Sequence, residues 1–169
     1  MKTSTVFLVW FALSGCGYIG SARPWDPQDH PGEFRVLTEL KPLRASDSQS
    51  CGPTSLSIVD LYYRPSRETP QAPQLPGLVK ALTLRDLARD RGYRAHIVGG
   101  TFRDVVHQTR GGRPLIVGVL KPYRIVGDRP HFEVIAGIDE IRRRIVTIDP
   151  ARGWTINSYE GFLCEWERS

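Results

Sequence analysis

The sequence predicts an α+β fold, and three observations lead to this prediction. Apolar residues recur at helical spacing after Cys51, a helix-capping pattern begins at Thr83, and two strand-like segments form a predicted hairpin between His131 and Asp149. Helix signals in the first part of a chain, followed by strand signals in the last part, are typical of α+β proteins.

The helix at Cys51 has Pro53 in its first turn, which suits that position, and Arg64-Pro65 ends it. Alternation and capping signals place the other elements around it. They are a short strand near Phe34 to Leu37, a proline-rich surface loop at 64–77, a helix from Thr83 to Gly92, a strand at 93–98, a short helix capped by Thr101 and Asp104, a strand at 115–120, the hairpin strands 131–138 and 144–149, and a closing helix around Phe162 to Trp166.

The N-terminus has the pattern of a signal peptide. Lys2 precedes an apolar stretch at 6–13, and Leu13-Ser14-Gly15-Cys16 closes it. This tetrad resembles the lipobox of bacterial lipoproteins, which implies cleavage before Cys16 and acylation of that residue. Gly17 in the next position, rather than Asp, then favours a lipid anchor on the periplasmic face of the outer membrane. An ordinary secretory signal and a short uncleaved anchor are the alternatives.

Removal of a signal peptide at 1–15 leaves about 150 residues, which is one ordinary domain. Residues 16–33 are rich in Gly, Pro, Asp and Gln and are expected to form a flexible tether, with the folded domain at 34–169. The formal net charge is +5, with the arginines scattered among acids, so the chain is not expected to bind nucleic acid. Neither a Cys-x-x-Cys nor a His-x-x-x-His pair occurs, so no metal and no cofactor are expected.

Cys51 lies where a helix is predicted to begin. The first N–H groups of a helix have no partner within it and carry a partial positive charge, which stabilises a thiolate. Because the thiolate is the reactive form, Cys51 is a candidate nucleophile. Taken alone, a single cysteine is more often a small buried apolar residue.

The predicted hairpin supplies the two partners that a nucleophilic thiol needs, a base and a group that orients the base. If the turn centres on Glu140, His131 and Asp149 are directly opposed on the two strands, with their side chains on one face. A slip of one residue would place them on opposite faces. The hairpin therefore predicts an Asp149 carboxylate beside the His131 imidazole.

The remaining histidines and cysteines are weaker candidates. His30, His96 and His107 are expected to be structural or solvated. Cys164 is expected to lie off the buried face of the closing helix. In an oxidising compartment, a disulfide between Cys51 and Cys164 is an alternative that would remove the nucleophile.

Four blocks of the sequence resemble the papain-like cysteine peptidases, and among them the bacteriocin-processing, double-glycine peptidase group. They are Cys51-Gly52-Pro53 with Ser55-Leu56, the run from His131 to Asp139, Ile148-Asp149-Pro150, and the closing segment from Phe162 to Trp166. The resemblance covers residues 34–166. It implies a helical lobe that carries the nucleophile, packed on an antiparallel sheet that carries the base. It also implies that Cys51 is the nucleophile, His131 the general acid/base and Asp149 the orienting residue.

The sequence departs from the family at one position. The family usually has a glutamine five or six residues before the cysteine, where its amide helps to form the oxyanion hole, but Ser46 and Ala45 stand there. The nearby glutamine is Gln49, which is the candidate oxyanion donor. The expected function is cleavage of a peptide bond in a peptide or protein substrate. The alternatives are a Cys-dependent transpeptidase or acyltransferase, and a non-catalytic peptide-binding lipoprotein on the same scaffold.

Overall fold

The computed structural model describes residues 18–32, 34–47, 49–65, 79–167 and 169. Its helices are α1 (Cys51–Tyr63), α2 (Ala81–Asp90), α3 (Phe102–Arg110) and α4 (Tyr159–Trp166). Its strands are β1 (Arg23–Pro24), β2 (Arg35–Val36), β3 (Leu115–Tyr123), β4 (Gly127–Asp139), β5 (Arg144–Asp149) and β6 (Gly153–Ser158). The helices pack on one antiparallel sheet, so the predicted α+β class is confirmed.

The long strand β4 is the centre of the sheet. Strand β5 pairs with one edge of β4, while β3 and then β2 pair along its other edge. Strand β6 lies beyond β5, and the two-residue strand β1 pairs with β6. All of these pairings are antiparallel.

Helices cover both faces of the sheet. On one face, Ile58 of α1 packs with Val134, Ala136 and Ile148, all of which are fully buried. On the other face, Phe162 of α4 and Val105 of α3 join a second cluster with the opposite side chains of the strands. Helix α1 thus lies flat on β4 and β5, and this packing brings its first residue to the end of the sheet where β5 ends.

The helices agree with the sequence predictions except for the start of α2. Helix α1 has the predicted limits, and α3 has the predicted capping box between Thr101 and Asp104. Helix α2 begins at Ala81, with Lys80 as its N-cap residue and no side-chain cap. The capping box predicted at Thr83 is therefore wrong, because the helix already includes that residue.

The strand predicted at 93–98 is also wrong. This segment has no strand pairing, and the side chains of Ile97 and Val98 are 49% and 76% exposed. Its alternation resembled that of a strand, but Tyr93 and Ala95 pack against the apolar residues between α1 and α2. Strand β6, by contrast, has no clear signal in the sequence. It buries Thr155 and Asn157 and leaves Trp154 and Ile156 half-buried, which is the reverse of the usual apolar pattern.

The segment from residue 18 to residue 32 differs from the expected flexible tether. The N–H of Ile19 donates to the carbonyl of Pro122 (3.0 Å), Arg23–Pro24 pairs with β6, and Ala22 is 3% exposed. Backbone pairing with β3 and β6 thus holds a Gly- and Pro-rich segment against the sheet. The predicted signal peptide, the acylated Cys16 and most of the predicted proline-rich loop lie outside the described residues. Within the described residues, every helix is too short or too polar to cross a bilayer.

Candidate active site

Cys51 is the first residue of α1, and a tight turn precedes it. The Asp47 carboxylate accepts a hydrogen bond from the N–H of Gln49 (2.7 Å), and the hydroxyl of Ser50 accepts one from the N–H of Asp47 (3.2 Å). This is an Asx-type turn, in which a short polar side chain fixes the backbone next to it. The turn therefore positions the start of the helix, where Cys51 is buried with 4% of its surface exposed.

The same turn is attached to the chain that follows β5. The N–H of Ala45 donates to the carbonyl of Pro150 (2.9 Å), and the guanidinium of Arg44 donates to the carbonyl of Ala151. These bonds join the segment before Cys51 to the segment after Asp149. Two parts of the chain that are about one hundred residues apart thereby become neighbours at the end of the sheet.

His131 and Asp149 form a close pair. The Nε2 atom of His131 lies 2.8 Å from Oδ1 of Asp149, and the two side chains are 12% and 2% exposed. The same Oδ1 accepts the N–H of Ala151 (2.8 Å), which fixes the carboxylate in place. Because Nε2 is directed at Asp149, Nδ1 is the ring nitrogen that remains for Cys51.

The register of the hairpin differs from the prediction. Asp139 pairs with Arg144, so the turn spans residues 140–143 and is not centred on Glu140. Beyond a β-bulge between Ile135 and Gly137, Val134 pairs with Ile148. The expectation that His131 and Asp149 are directly opposed is therefore wrong.

A β-bulge places His131 and Asp149 on the same face of the sheet, as predicted. With the register of the turn extended along the strands, Asp149 would lie opposite Val134, and His131 would point to the other side of the sheet. The extra residue at the bulge shifts the pairing by one, so that Asp149 lies level with Glu133, two residues from His131. His131 and Asp149 are thus diagonal neighbours on one face, close enough for the 2.8 Å contact.

The three side chains change one another's protonation. Burial raises the pKa of the Cys51 thiol, but the hydrogen bond and charge of His131 lower it more, so this pKa lies below its ordinary value. Burial lowers the pKa of His131, but hydrogen bonds with Asp149 and Cys51 outweigh this effect and raise that pKa to about 10. Burial raises the pKa of Asp149, but the His131 contact lowers it below its usual range. These directions favour a thiolate beside an imidazolium.

Two backbone groups also favour the thiolate. The N–H groups of Gly52 and Phe132 interact with the Cys51 sulfur and lower the pKa of the thiol. The ring of Phe132 packs so closely that a Cβ atom on Gly52 would lie 3.1 Å from its Cδ2 atom. A glycine after the cysteine thus allows β4 to approach the helix. In the sequence, Gly52 follows Cys51 and Phe132 follows His131, and these two pairs could have predicted the contact.

Cys51 and His131 line a cavity of about 440 Å³. Its other lining residues come from the turn before α1, from both sides of the β3–β4 hairpin and from the segment after β5; they are Ala45, Asp47, Gln49, Tyr123, Val126, Arg129, Pro130 and Ala151. Gln49 lines this cavity with an exposed side chain. A second cavity of about 230 Å³, near Trp25 and Phe34, shares no lining residue with the first.

A buried ion cluster lies behind His131 and Asp149, and the sequence analysis missed it. The Nζ atom of Lys121 lies 3.2 Å from the Glu133 carboxylate and 2.8 Å from that of Glu165, with all three side chains at most 4% exposed. Thr147 donates to Glu133 (3.1 Å). The charge of Lys121 also lowers the pKa of Asp149. A lysine at an inward position of an apolar strand was the signal that could have identified this cluster.

The other residues considered from the sequence lie outside this arrangement. His96 and His107 are exposed, and His30 stacks on Trp25 with ring centroids 5.5 Å apart. Cys164 is exposed, as predicted, and neither it nor Cys51 forms a disulfide. In the part of the chain that the structure describes, no group of three or more His, Cys, Asp or Glu residues is arranged to hold a metal ion.

Comparison with known proteins gives no assignment. No family model matches the chain, and no curated protein sequence is significantly similar to it. The function therefore has to be inferred from the geometry of the site and from the sequence motifs.

Proposed function

We propose that the protein is a cysteine peptidase with a papain-like fold, in which Cys51, His131 and Asp149 form the catalytic triad. One observation supports this proposal. Three side chains from distant parts of the chain contact one another beside one cavity. A buried thiol with a lowered pKa, a base in contact with it and a carboxylate on the far side of that base form the arrangement that nucleophilic catalysis requires.

In the proposed reaction, the Cys51 thiolate attacks the carbonyl carbon of the scissile peptide bond. The C=O double bond opens to a tetrahedral oxyanion, and when it re-forms the C–N bond breaks. The His131 imidazolium gives its proton to the departing amine, leaving a thioester on Cys51 and a neutral imidazole. A water molecule, deprotonated by His131, then attacks the thioester. The acid is released, the sulfur leaves as a thiolate, and the imidazolium is restored.

The oxyanion needs hydrogen-bond donors near Cys51. We assign this role to the Gln49 side-chain amide, which lines the same cavity as the sulfur, together with the backbone N–H at the start of α1. Asp149 fixes His131 through Nε2, so the imidazole presents Nδ1 to the sulfur throughout the reaction.

The N-terminal motif adds a location to the proposal. A diacylglyceryl group on the Cys16 sulfur and an acyl group on its new amine supply three lipid chains, more than the two signals that stable anchoring requires. The enzyme would then act on peptides or proteins at the periplasmic face of the cell envelope.

The proposal is tested by incubating the purified protein with a mixture of unstructured peptides and identifying the products by mass. Cleavage is expected with the wild-type protein and with Cys164→Ala, a matched control for the second free thiol. Cys51→Ala and His131→Gln are expected to abolish cleavage, and Asp149→Asn to reduce it strongly. With an added amine, hydrolysis gives only acids, whereas a transpeptidase gives amide products.

Two results would contradict the proposal. If the wild-type protein binds the peptides but forms no product and no thioester, it is a binding protein on this scaffold. If cleavage persists in Cys51→Ala, the bond is broken by another group.

A further inference from the structure

We propose that the tip of the β3–β4 hairpin rests on a lipid surface and holds the Cys51 cavity at the membrane. The tip consists of residues 124–126, between Tyr123 and Gly127, and we call it the membrane tip. This inference rests on the lipid anchor at Cys16 that forms part of the proposed function. It goes beyond that function because it assigns an interaction surface to the folded domain itself.

The chain runs from the N-terminal motif directly to the base of the membrane tip. Tyr18 forms an antiparallel bridge with Tyr123, their rings pack at 6.0 Å between centroids, and the N–H of Ile19 donates to the carbonyl of Pro122. The start of the described chain is therefore fixed at the base of the membrane tip. Cys16 is two residues before Tyr18, and two extended residues span at most about 7 Å. Acyl chains on Cys16 would thus bring the lipid surface to this part of the domain.

The surface around the membrane tip is apolar and bordered by arginines. The side chain of Ile125 is 67% exposed, that of Val126 is 38% exposed, and that of Ile19 is 57% exposed. Arg124 and Arg129, both exposed, flank this apolar group, while Asp128 adds one negative charge. Apolar side chains bordered by arginines suit the boundary between acyl chains and anionic headgroups.

The cavity at Cys51 lies beside the same hairpin. Tyr123, Val126 and Arg129 line the cavity that contains Cys51 and His131, so one wall of this cavity belongs to the hairpin that carries the membrane tip. If the tip rests on lipid, the cavity opens beside the headgroups. A polypeptide segment that lies at the membrane surface then reaches Cys51 more easily than one far from it.

The chain provides a matched control at the opposite end of β4. The β4–β5 turn at 140–143 also carries an exposed isoleucine, Ile141, at 94% exposure, followed by Arg142 and Arg143. The two tips are separated by the 13 residues of β4, about 40 Å of extended strand. Both turns carry an exposed isoleucine and arginines, although the turn at 140–143 also contains Glu140. Of the two, the membrane tip is the one beside which Tyr18 is fixed.

The test uses the full chain, purified with its lipid and reconstituted in vesicles of phosphatidylethanolamine and phosphatidylglycerol, with and without bromine on the acyl chains. Ile125→Trp and Ile141→Trp each add one indole to the native tryptophans. Brominated lipid is expected to quench most of the fluorescence that Ile125→Trp adds and little of the fluorescence that Ile141→Trp adds. As a second measurement on the wild-type protein, vesicles are expected to slow hydrogen exchange of residues 124–126 but not of residues 140–143.

Equal quenching at both positions, or quenching at neither, overturns the proposal, as does unchanged exchange at residues 124–126. If a variant fails to fold, the exchange measurement on the wild-type protein decides alone. The mass of the N-terminal peptide separates two kinds of failure. An unmodified Cys16 removes the anchor and overturns both the location in the proposed function and this inference. An acylated Cys16 with an unprotected membrane tip overturns this inference alone.

Discussion

At a pH between the pKa of the Cys51 thiol and that of the His131 imidazole, the two side chains share one proton. The pKa of the thiol lies below its ordinary value and that of the imidazole is raised to about 10, so the folded protein holds the proton on the ring. The unfolded chain also holds one proton on this pair near neutral pH, but on the sulfur. The folded and unfolded states therefore differ in the number of protons that they bind only in more acidic or more alkaline solution.

This sharing predicts a pH dependence of stability. The raised His131 pKa contributes stability that is complete below pH 6.5 and lost as the pH rises to about 10. The lowered Cys51 pKa contributes stability above the ordinary thiol pKa, and this contribution is lost as the pH falls. The two contributions therefore oppose each other. At a pH below 6.5 at which the folded state still holds the Cys51 thiolate, the unfolded state binds one more proton, so stability falls by up to about 1.4 kcal/mol per pH unit as the pH decreases.

Urea unfolding of the wild-type protein and of Cys51→Ser at pH 7 and pH 5 checks this dependence. Without the thiolate, His131 is protonated at pH 5 in both states, so the variant should lose less stability than the wild-type protein. Parallel losses in the two proteins would show that Cys51 remains a thiol near neutral pH.

In the proposed mechanism, Gln49 is the side chain that stabilises the oxyanion. If its amide donates to the oxyanion, Gln49→Ala is expected to lower kcat about a hundred- to a thousandfold with little change in the alkylation rate of Cys51. The control is Gln108→Ala, which removes a half-buried amide of α3 that accepts a hydrogen bond from Arg113 and does not line the Cys51 cavity. A kcat within a few fold of wild type would mean that other donors stabilise the oxyanion.

Among the secondary-structure elements, β4 shows which features of the site the sequence predicts and which it does not. The helix at Cys51 and the strand at His131 have local signals, so both residues could be predicted as site residues. The shared face was predicted for the wrong reason, because the register depends on where the turn closes and on a β-bulge. The bulge near Ala136 lies in an uninterrupted apolar run, where nothing in the alternation indicates an extra residue.

The glycine next to this bulge gives a prediction for the element. A Cβ atom on Gly137 would lie 2.9 Å from Cγ2 of Val36 and 3.0 Å from the carbonyl oxygen of Arg35. Gly137→Ala should therefore displace β2 and lower the free energy of unfolding by about 1–3 kcal/mol. Gly118→Ala in β3, whose Cβ would lie 3.6 Å from the Phe132 ring, should be tolerated. Chemical denaturation of both variants checks this, and equal stabilities would contradict the close approach of β2.

In the whole molecule, the ion cluster bonds the N-terminal segment to three elements that one apolar cluster already holds together. Lys121 belongs to β3, Glu133 to β4 and Glu165 to α4, and Tyr18 donates its hydroxyl hydrogen to Glu165. The N-terminal segment is thus bonded to the same cluster that lies behind His131 and Asp149. Composition alone predicted a tether there, because Gly and Pro content does not reveal contacts that form only after the sheet has folded.

Removing the cation should show how much this cluster depends on its pairing. Lys121→Met leaves two buried carboxylates without a counter-charge and is expected to cost about 3–5 kcal/mol of stability. Lys121→Met combined with Glu133→Gln and Glu165→Gln removes all three charges and should be more stable than the single variant. Thermal unfolding of the two variants decides the point, and a triple variant less stable than Lys121→Met would contradict it.

The rate of Cys51 alkylation shows whether this thiol is activated. The chain contains its own reference, because Cys51 is 4% exposed while Cys164 is exposed and unpaired. The folded protein is treated with iodoacetamide at pH 6, and the modified peptides are quantified by mass. If Cys51 is a thiolate paired with the His131 imidazolium, it reacts faster than Cys164 despite its burial, and His131→Gln reverses this order. If Cys164 reacts faster in the wild-type protein, in keeping with exposure alone, the thiolate–imidazolium pair does not form.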